Sequence, residues 1–169
     1  MGDYKYFIFA RALHVISVVI WIGGVSFVTL VLLPALNNII DSEKKLELFE
    51  QLEGKFAFYA RIFTLLTGFS GFFMLEFLHA WHHYGDLHFW WLHLMTFVWL
   101  LFIIVLFILE PLFLHHWFHE QAKKNSNRTF RIITFLHIFV LILSLLAVFF
   151  AVAGCLFMLS FILAKGYFD

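Results

Sequence analysis

Four long apolar runs, separated by short polar stretches, leave this chain few folds to choose from. The first runs from about Tyr6 to Leu33 and stops at Pro34, the second from about Phe56 to Ala80, the third from about Phe89 to Leu114, and the fourth from about Ile132 to Ala164. A helix needs roughly 20 apolar residues to cross the hydrocarbon of a bilayer. Inside that hydrocarbon every backbone polar group must be bonded within its own segment, which favours helices. We therefore expect one all-α domain over residues 1–169, an integral membrane four-helix bundle whose solvent is the lipid bilayer. Composition agrees: 63% of residues are hydrophobic and 13% charged, against about half and a quarter in soluble domains. A net charge of zero argues against a nucleic-acid partner. The first run is too long for a cleavable signal. The single cysteine, Cys155, makes no internal disulfide and belongs to no C-x-x-C pair, so it reads as an apolar packing residue.

The connector before the second run carries Asp41, Glu43, Lys44, Lys45, Glu47, Glu50, Glu53 and Lys55, with Leu46, Phe49 and Leu52 recurring every third residue. This pattern predicts either a short amphipathic helix over 41–53 lying on the membrane surface or an ordinary solvated connector. Lysine and arginine set the expected orientation. Lys44, Lys45, Lys55, Arg61, Lys123, Lys124, Arg128 and Arg131 fall at one end of the bundle, and Lys5, Arg11 and Lys165 at the other. Both termini are thus expected outside (N-out/C-out), with Trp81, Trp90 and Trp91 as an outer aromatic belt and Trp117 at the inner surface.

The halves share landmarks. Leu13-His14-Val15-Ile16 in the first run matches Leu92-His93-Leu94-Met95 in the third, and Arg61-Ile62-Phe63-Thr64 matches Arg131-Ile132-Ile133-Thr134. Two tandem helical hairpins related by an axis along the membrane normal would produce this order.

Ten histidines in so apolar a chain are the main chemical clue, because ionisable groups inside a membrane are costly and usually face a partner. His14 and His93 both lie about one turn inside the expected outer boundary, on helices running the same way. Two facing neutral imidazoles suit a haem iron, and Arg11, one turn nearer the surface, suits a propionate. The alternative is that each ring bonds a neighbouring helix. His137, near the start of the fourth run, together with His115, His116 and His119 could serve a second haem only at matching depth. Glu76, His79 and His83, with His82 and His88 nearby, have a helical spacing that suits zinc or copper, or else form a polar rim. Glu110-Pro111 predicts a kink that turns a carboxylate inward. Gly23, Gly24, Gly68 and Gly71 predict close helix approach or room for a flat cofactor.

The stretch Leu13-His14-Val15-Ile16-Ser17-Val18-Val19-Ile20-Trp21-Ile22-Gly23-Gly24 resembles the first helix of bacterial copper-resistance D-like (CopD-like) membrane proteins, with a histidine, a tryptophan seven residues on, and two small residues. Leu32-Leu33-Pro34-Ala35-Leu36, Arg61 and Trp91-Leu92-His93 are similar too. Relatives include HemJ-type protoporphyrinogen oxidases, whose third helix begins His-Leu-Lys; here Met95 stands third, and their aromatic-Leu-Pro-Arg segment is absent. The resemblance implies a haem or copper protein of the bacterial inner membrane, with His14 and His93 as matched positions. Arg61 and His137 complete the candidate cofactor set with Arg11.

Three functions fit these features. The first is a b-type cytochrome holding haem b between His14 and His93, exchanging electrons with quinone or a membrane partner; if an enzyme, it is an oxidoreductase. The second is a copper-handling protein using the outer histidines. The third is a non-catalytic subunit or assembly factor of a larger complex. Short loops leave little watery surface, which favours partners in the membrane, other subunits or a homo-oligomer.

Overall fold

A computed structural model describes the backbone of residues 2–165, and the side chains of residues 4–41, 43–111 and 128–154. Helix α1 (Gly2–Phe27) passes through a π-helical stretch, Val28–Leu32, into the short α2 (Leu33–Asn37), whose Pro34 sits in its first turn. The helix is continuous here from Gly2 to Asn37, so Pro34 removes an amide that would bond a carbonyl about one turn back, next to the π-helical stretch. Asp41 then caps α3 (Ser42–Phe77), accepting from the Glu43 and Lys44 amides and so satisfying two of the orphan donors at a helix start. Two 3₁₀ turns, Ala80–Gly85 and Leu87–Phe89, lead to α4 (Trp90–Ile104). A second π-helical stretch, Val105–Leu114, contains Pro111, and α5 (His115–Lys165) follows. Among the described residues, four helical stretches are long and apolar enough to cross a membrane: Tyr4–Asn37, Glu43–Phe77, Leu87–Pro111 and Arg128–Gly154. The chain is an all-α, multi-pass membrane protein.

Two expectations change. The charged connector is no separate surface helix: residues 42–53 are the first turns of α3 and continue into its apolar part without a break. No proline interrupts this stretch, and Gly54 alone is too weak a breaker to end a helix with good formers on both sides. The second helix ends at Phe77 rather than Ala80, because His79 adopts a left-handed conformation at φ 50°.

The principal pairings are α1 with α3 and α4 with α5. One apolar cluster, at the lysine-rich end, joins Val28, Leu32, Leu33 and Leu36 to Leu46, Phe49, Phe130 and Ile133. The other fills mid-bundle with Trp21, Ile22, Val25, Ala60, Val98, Phe102, Leu106 and Leu141, Trp21 meeting Phe102 edge-on at 4.6 Å. Most other large apolar side chains, such as Phe9, Val19, Phe69, Phe97, Phe135 and Phe149, point outward. In water such a surface would aggregate; in lipid it is the solvated face.

The expected glycine hollows are occupied by rings. A Cβ on Gly24 would fall 2.3 Å from Phe56, on Gly68 2.4 Å from Trp99, and on Gly71 3.3 Å from His14. Gly154 receives Trp91 in the same way, whereas Gly23 faces open space. Gly24, Gly68, Gly71 and Gly154 thus serve close packing, and the space above these four is filled by side chains.

Candidate functional site

His14 lies against α3. Its Nδ1 is 2.9 Å from the Thr67 carbonyl oxygen and 3.1 Å from Ser70 Oγ. A carbonyl only accepts, so Nδ1 carries the proton in a neutral ring and the lone pair sits on Nε2. Ser70 is oriented in turn, donating to the Leu66 carbonyl at 2.6 Å. Nε2 of His14 makes no hydrogen bond with any described residue. Arg11 is exposed, one turn earlier on α1.

His93 is held differently. Its Nε2 is 3.1 Å from the Tyr84 carbonyl and its Nδ1 3.3 Å from the Phe89 carbonyl, and its ring meets Tyr84 edge-on. A neutral imidazole donates once, so the shorter contact takes the Nε2 proton and the Nδ1 lone pair is left against its own helix. Tyr84 completes a clamp by donating its hydroxyl to Thr96 Oγ1 at 2.6 Å, since Thr96 itself donates to the Leu92 carbonyl. His93 therefore fastens the 80–89 turn to α4. His14 and His93 make no hydrogen bond or ring contact with each other; the two landmarks matched in sequence have unlike surroundings.

His137 repeats the His14 pattern, with Nδ1 3.0 Å from the Ile133 carbonyl and no bond at Nε2 to a described residue. It lies one turn beyond Ile133, which packs with Val28 and Leu32. Reading along α1 from that contact, His137 and His14 differ in level by roughly 15 Å at 1.5 Å per residue, too far to share one iron. The side chains of His115, His116 and His119, and that of Cys155, lie outside the described residues.

Arg61 is committed to the protein. Its Nε donates to the Leu106 carbonyl at 2.9 Å and its Nη2 pairs with the Glu110 carboxylate. In a π-helix the Leu106 carbonyl would take the amide hydrogen five residues on, which is Pro111, and proline has none. Arg61 supplies the missing donor and neutralises the carboxylate next door. Glu110 does turn into the bundle, as the Glu-Pro pair predicts. The spacing 106–110–111 holds this signal, but only the fold shows that Arg61 answers it.

The histidine cluster at the end of α3 and in the turn after it does not converge. Because α3 ends before His79, the helical spacing that would align Glu76, His79 and His83 is lost. Glu76 instead accepts from Trp81 Nε1 at 2.8 Å, His83 stacks on Phe89, and His82 Nδ1 lies 2.9 Å from the His79 carbonyl. Among the described residues no three His, Cys, Asp or Glu side chains are placed to hold a metal. Outside the spans, hydrogen bonds from the His88 amide and ring hold the Asp86 carboxyl below the usual aspartate range. Burial, aided by neighbouring His82, lowers His83.

No protein-family model, curated protein or solved structure matches this chain.

Proposed function

We propose that this chain is a membrane redox protein of the b-type cytochrome kind, in which His14 would hold a haem b through its Nε2. The observation that carries the reading is the His14 Nδ1–H bond to the Thr67 carbonyl. An imidazole anchored at one nitrogen keeps its tautomer and direction and presents the other lone pair, the arrangement proteins use for metal-binding histidines. The resemblance of residues 13–24 to CopD-like proteins supports it. Arg11, exposed one turn away, suits a propionate. When bound, haem supplies one-electron chemistry. The chain's own part is to fix the His14 ring and surround it with apolar helix faces.

The ligand pair differs from the sequence expectation. His93 would serve only by giving up its bond to Tyr84, and the glycine hollows of α1 and α3 at Gly24, Gly68 and Gly71 hold side chains, so the reading rests on His14 alone. His14 would be the one residue of this chain to hold the haem, and a partner, another subunit or a second copy would complete the site. The lysine-rich end is read as cytoplasmic from its charge, which places His14 towards the outer face of a bacterial inner membrane, where quinone or a membrane partner would exchange electrons with it.

One observation favours a second reading, a non-catalytic subunit of a larger complex: each large hollow over Gly24, Gly68 and Gly154 is filled by a ring of the chain itself. Absorption spectra of protein purified in mild detergent decide between the two. The cytochrome reading expects a Soret band with sharp α-bands on reduction, lost in His14→Ala and retained in His93→Ala. A haem-free protein carrying co-purified subunits would replace it with the second reading.

A further inference from the structure

The α1–α3 seam contains a polar patch that neither reading uses. His14 touches Thr67, Ser70 and Gly71, and Phe56 fills the hollow at Gly24. The two helices therefore run antiparallel, with residue 14 beside 67–71 and residue 24 beside 56. Ser17 and Trp21, four residues apart, then fall beside 60–67, where Thr64 and Thr67 are three apart, the spacings of residues on one helix face. These four side chains are 0%, 3%, 0% and 6% exposed, in the order Ser17, Trp21, Thr64, Thr67. Among the described residues, the hydroxyls of Ser17, Thr64 and Thr67 and the indole N–H of Trp21 have no partner. Elsewhere in these helices hydroxyls fold back on the carbonyl four residues earlier, as Ser26 and Ser70 do. Here they do not.

An unmet polar group at this depth is costly, because neither lipid nor apolar side chains offer a bond. We propose that this patch is a binding site for ordered water in the middle of the bundle. The ligand must be small, since the groups are almost fully enclosed. It must accept from the Trp21 N–H and both give to and take from hydroxyls. A cation is repelled by the indole N–H, and an anion finds no positive charge among these four groups. Water has both roles and needs two to four polar partners. The site also backs His14: Thr67 lends its carbonyl to the imidazole while its hydroxyl holds water. The inference stands without the haem reading.

The test uses the full chain, labelled with ¹⁵N-tryptophan, in detergent. Six indole resonances are expected from six tryptophans; Trp21 is assigned by its loss in Trp21→Phe. Trp99, whose Nε1 donates to the Thr64 carbonyl at 2.9 Å, is the internal control for a bonded, dry indole. We expect a cross-peak between the Trp21 indole proton and water, none at Trp99, and a several-fold weaker Trp21 peak in the folded double variant Ser17→Ala/Thr64→Val. No water cross-peak at Trp21, or one of unchanged intensity in that variant, overturns the proposal.

Discussion

Each ring-filled glycine is a one-residue decision, and its cost is measurable. In Gly68→Ala the new methyl meets Trp99 at 2.4 Å, so the indole must move from its bond to Thr64. Overpacking of this kind costs about 1–3 kcal/mol. Gly23→Ala adds a methyl into open space and is expected to be neutral or to stabilise by up to about 1 kcal/mol through helix propensity. Thermal unfolding of the two variants in detergent checks the contrast, and equal loss in both would contradict the packing described. The glycines themselves stand out in the sequence, but which ring enters which hollow does not, because Gly23 and Gly24 are neighbours separated only by their angle on the helix. The same holds for histidine. Depth and direction single out His14 and His93 in sequence; the partners that make one an anchored ring with a free nitrogen and the other a clamp come from α3 and the 80–89 turn.

At the scale of elements, the turn and the π-helical stretch carry opposite lessons. The turn is held by Asp86 and a partly buried His83. The aspartate is depressed in the folded turn, so its contribution is present above the ordinary aspartate range and lost as pH falls through the folded value. His83 is also depressed, so the unfolded turn takes up a proton first, and stability declines as pH falls below the ordinary imidazole value of 6.5. Both act in one direction: the turn loosens on acidification. Amide hydrogen exchange over residues 80–89, corrected for intrinsic rates, should show protection falling below pH 6.5 and again in the aspartate range. Asp86→Asn is expected to abolish the lower step and keep the upper one.

In the π-helical stretch, Arg61→Met leaves the Leu106 carbonyl without a donor and Glu110 without its cation. Breaking a pair of this kind costs about 3–5 kcal/mol when fully buried; with both side chains between a fifth and a third exposed, about 2–3 kcal/mol is expected. Glu110→Gln keeps an acceptor for the guanidinium and should cost less, by the same unfolding measurement. A larger loss in Glu110→Gln than in Arg61→Met would contradict this account. Periodicity and hydropathy report the existence of helices, and do so well here. They are insensitive to whether a helix continues, so the fusion of residues 42–53 with α3 is missed, as is the switch to π geometry before Pro111.

For the whole molecule, four crossings put Asn38 and Gly85 at opposite ends of the bundle. In a Cys155→Ser background, Asn38→Cys and Gly85→Cys in sealed vesicles should react with a membrane-impermeant thiol reagent from opposite sides, Asn38 from the cytoplasmic one. Labelling of both from one side would contradict the four-span architecture. This level was the most legible in the sequence, because the requirement to bond every peptide group in lipid leaves one solution for runs of this length.

Lys45 ties the beginning of the chain to its end. Its side chain is buried, donates to Asn37 Oδ1 at 3.1 Å and lies 4.2 Å over the Phe130 ring. Asn37 is made before α3, but Phe130 emerges only near the start of the last crossing. Until then this ammonium has no aromatic cover, and the first hairpin keeps an unsheltered charge at its base. Arrival of the segment at Phe130, rather than insertion of the first hairpin, is thus what covers this charge, and a chain truncated before Phe130 is expected to leave Lys45 exposed.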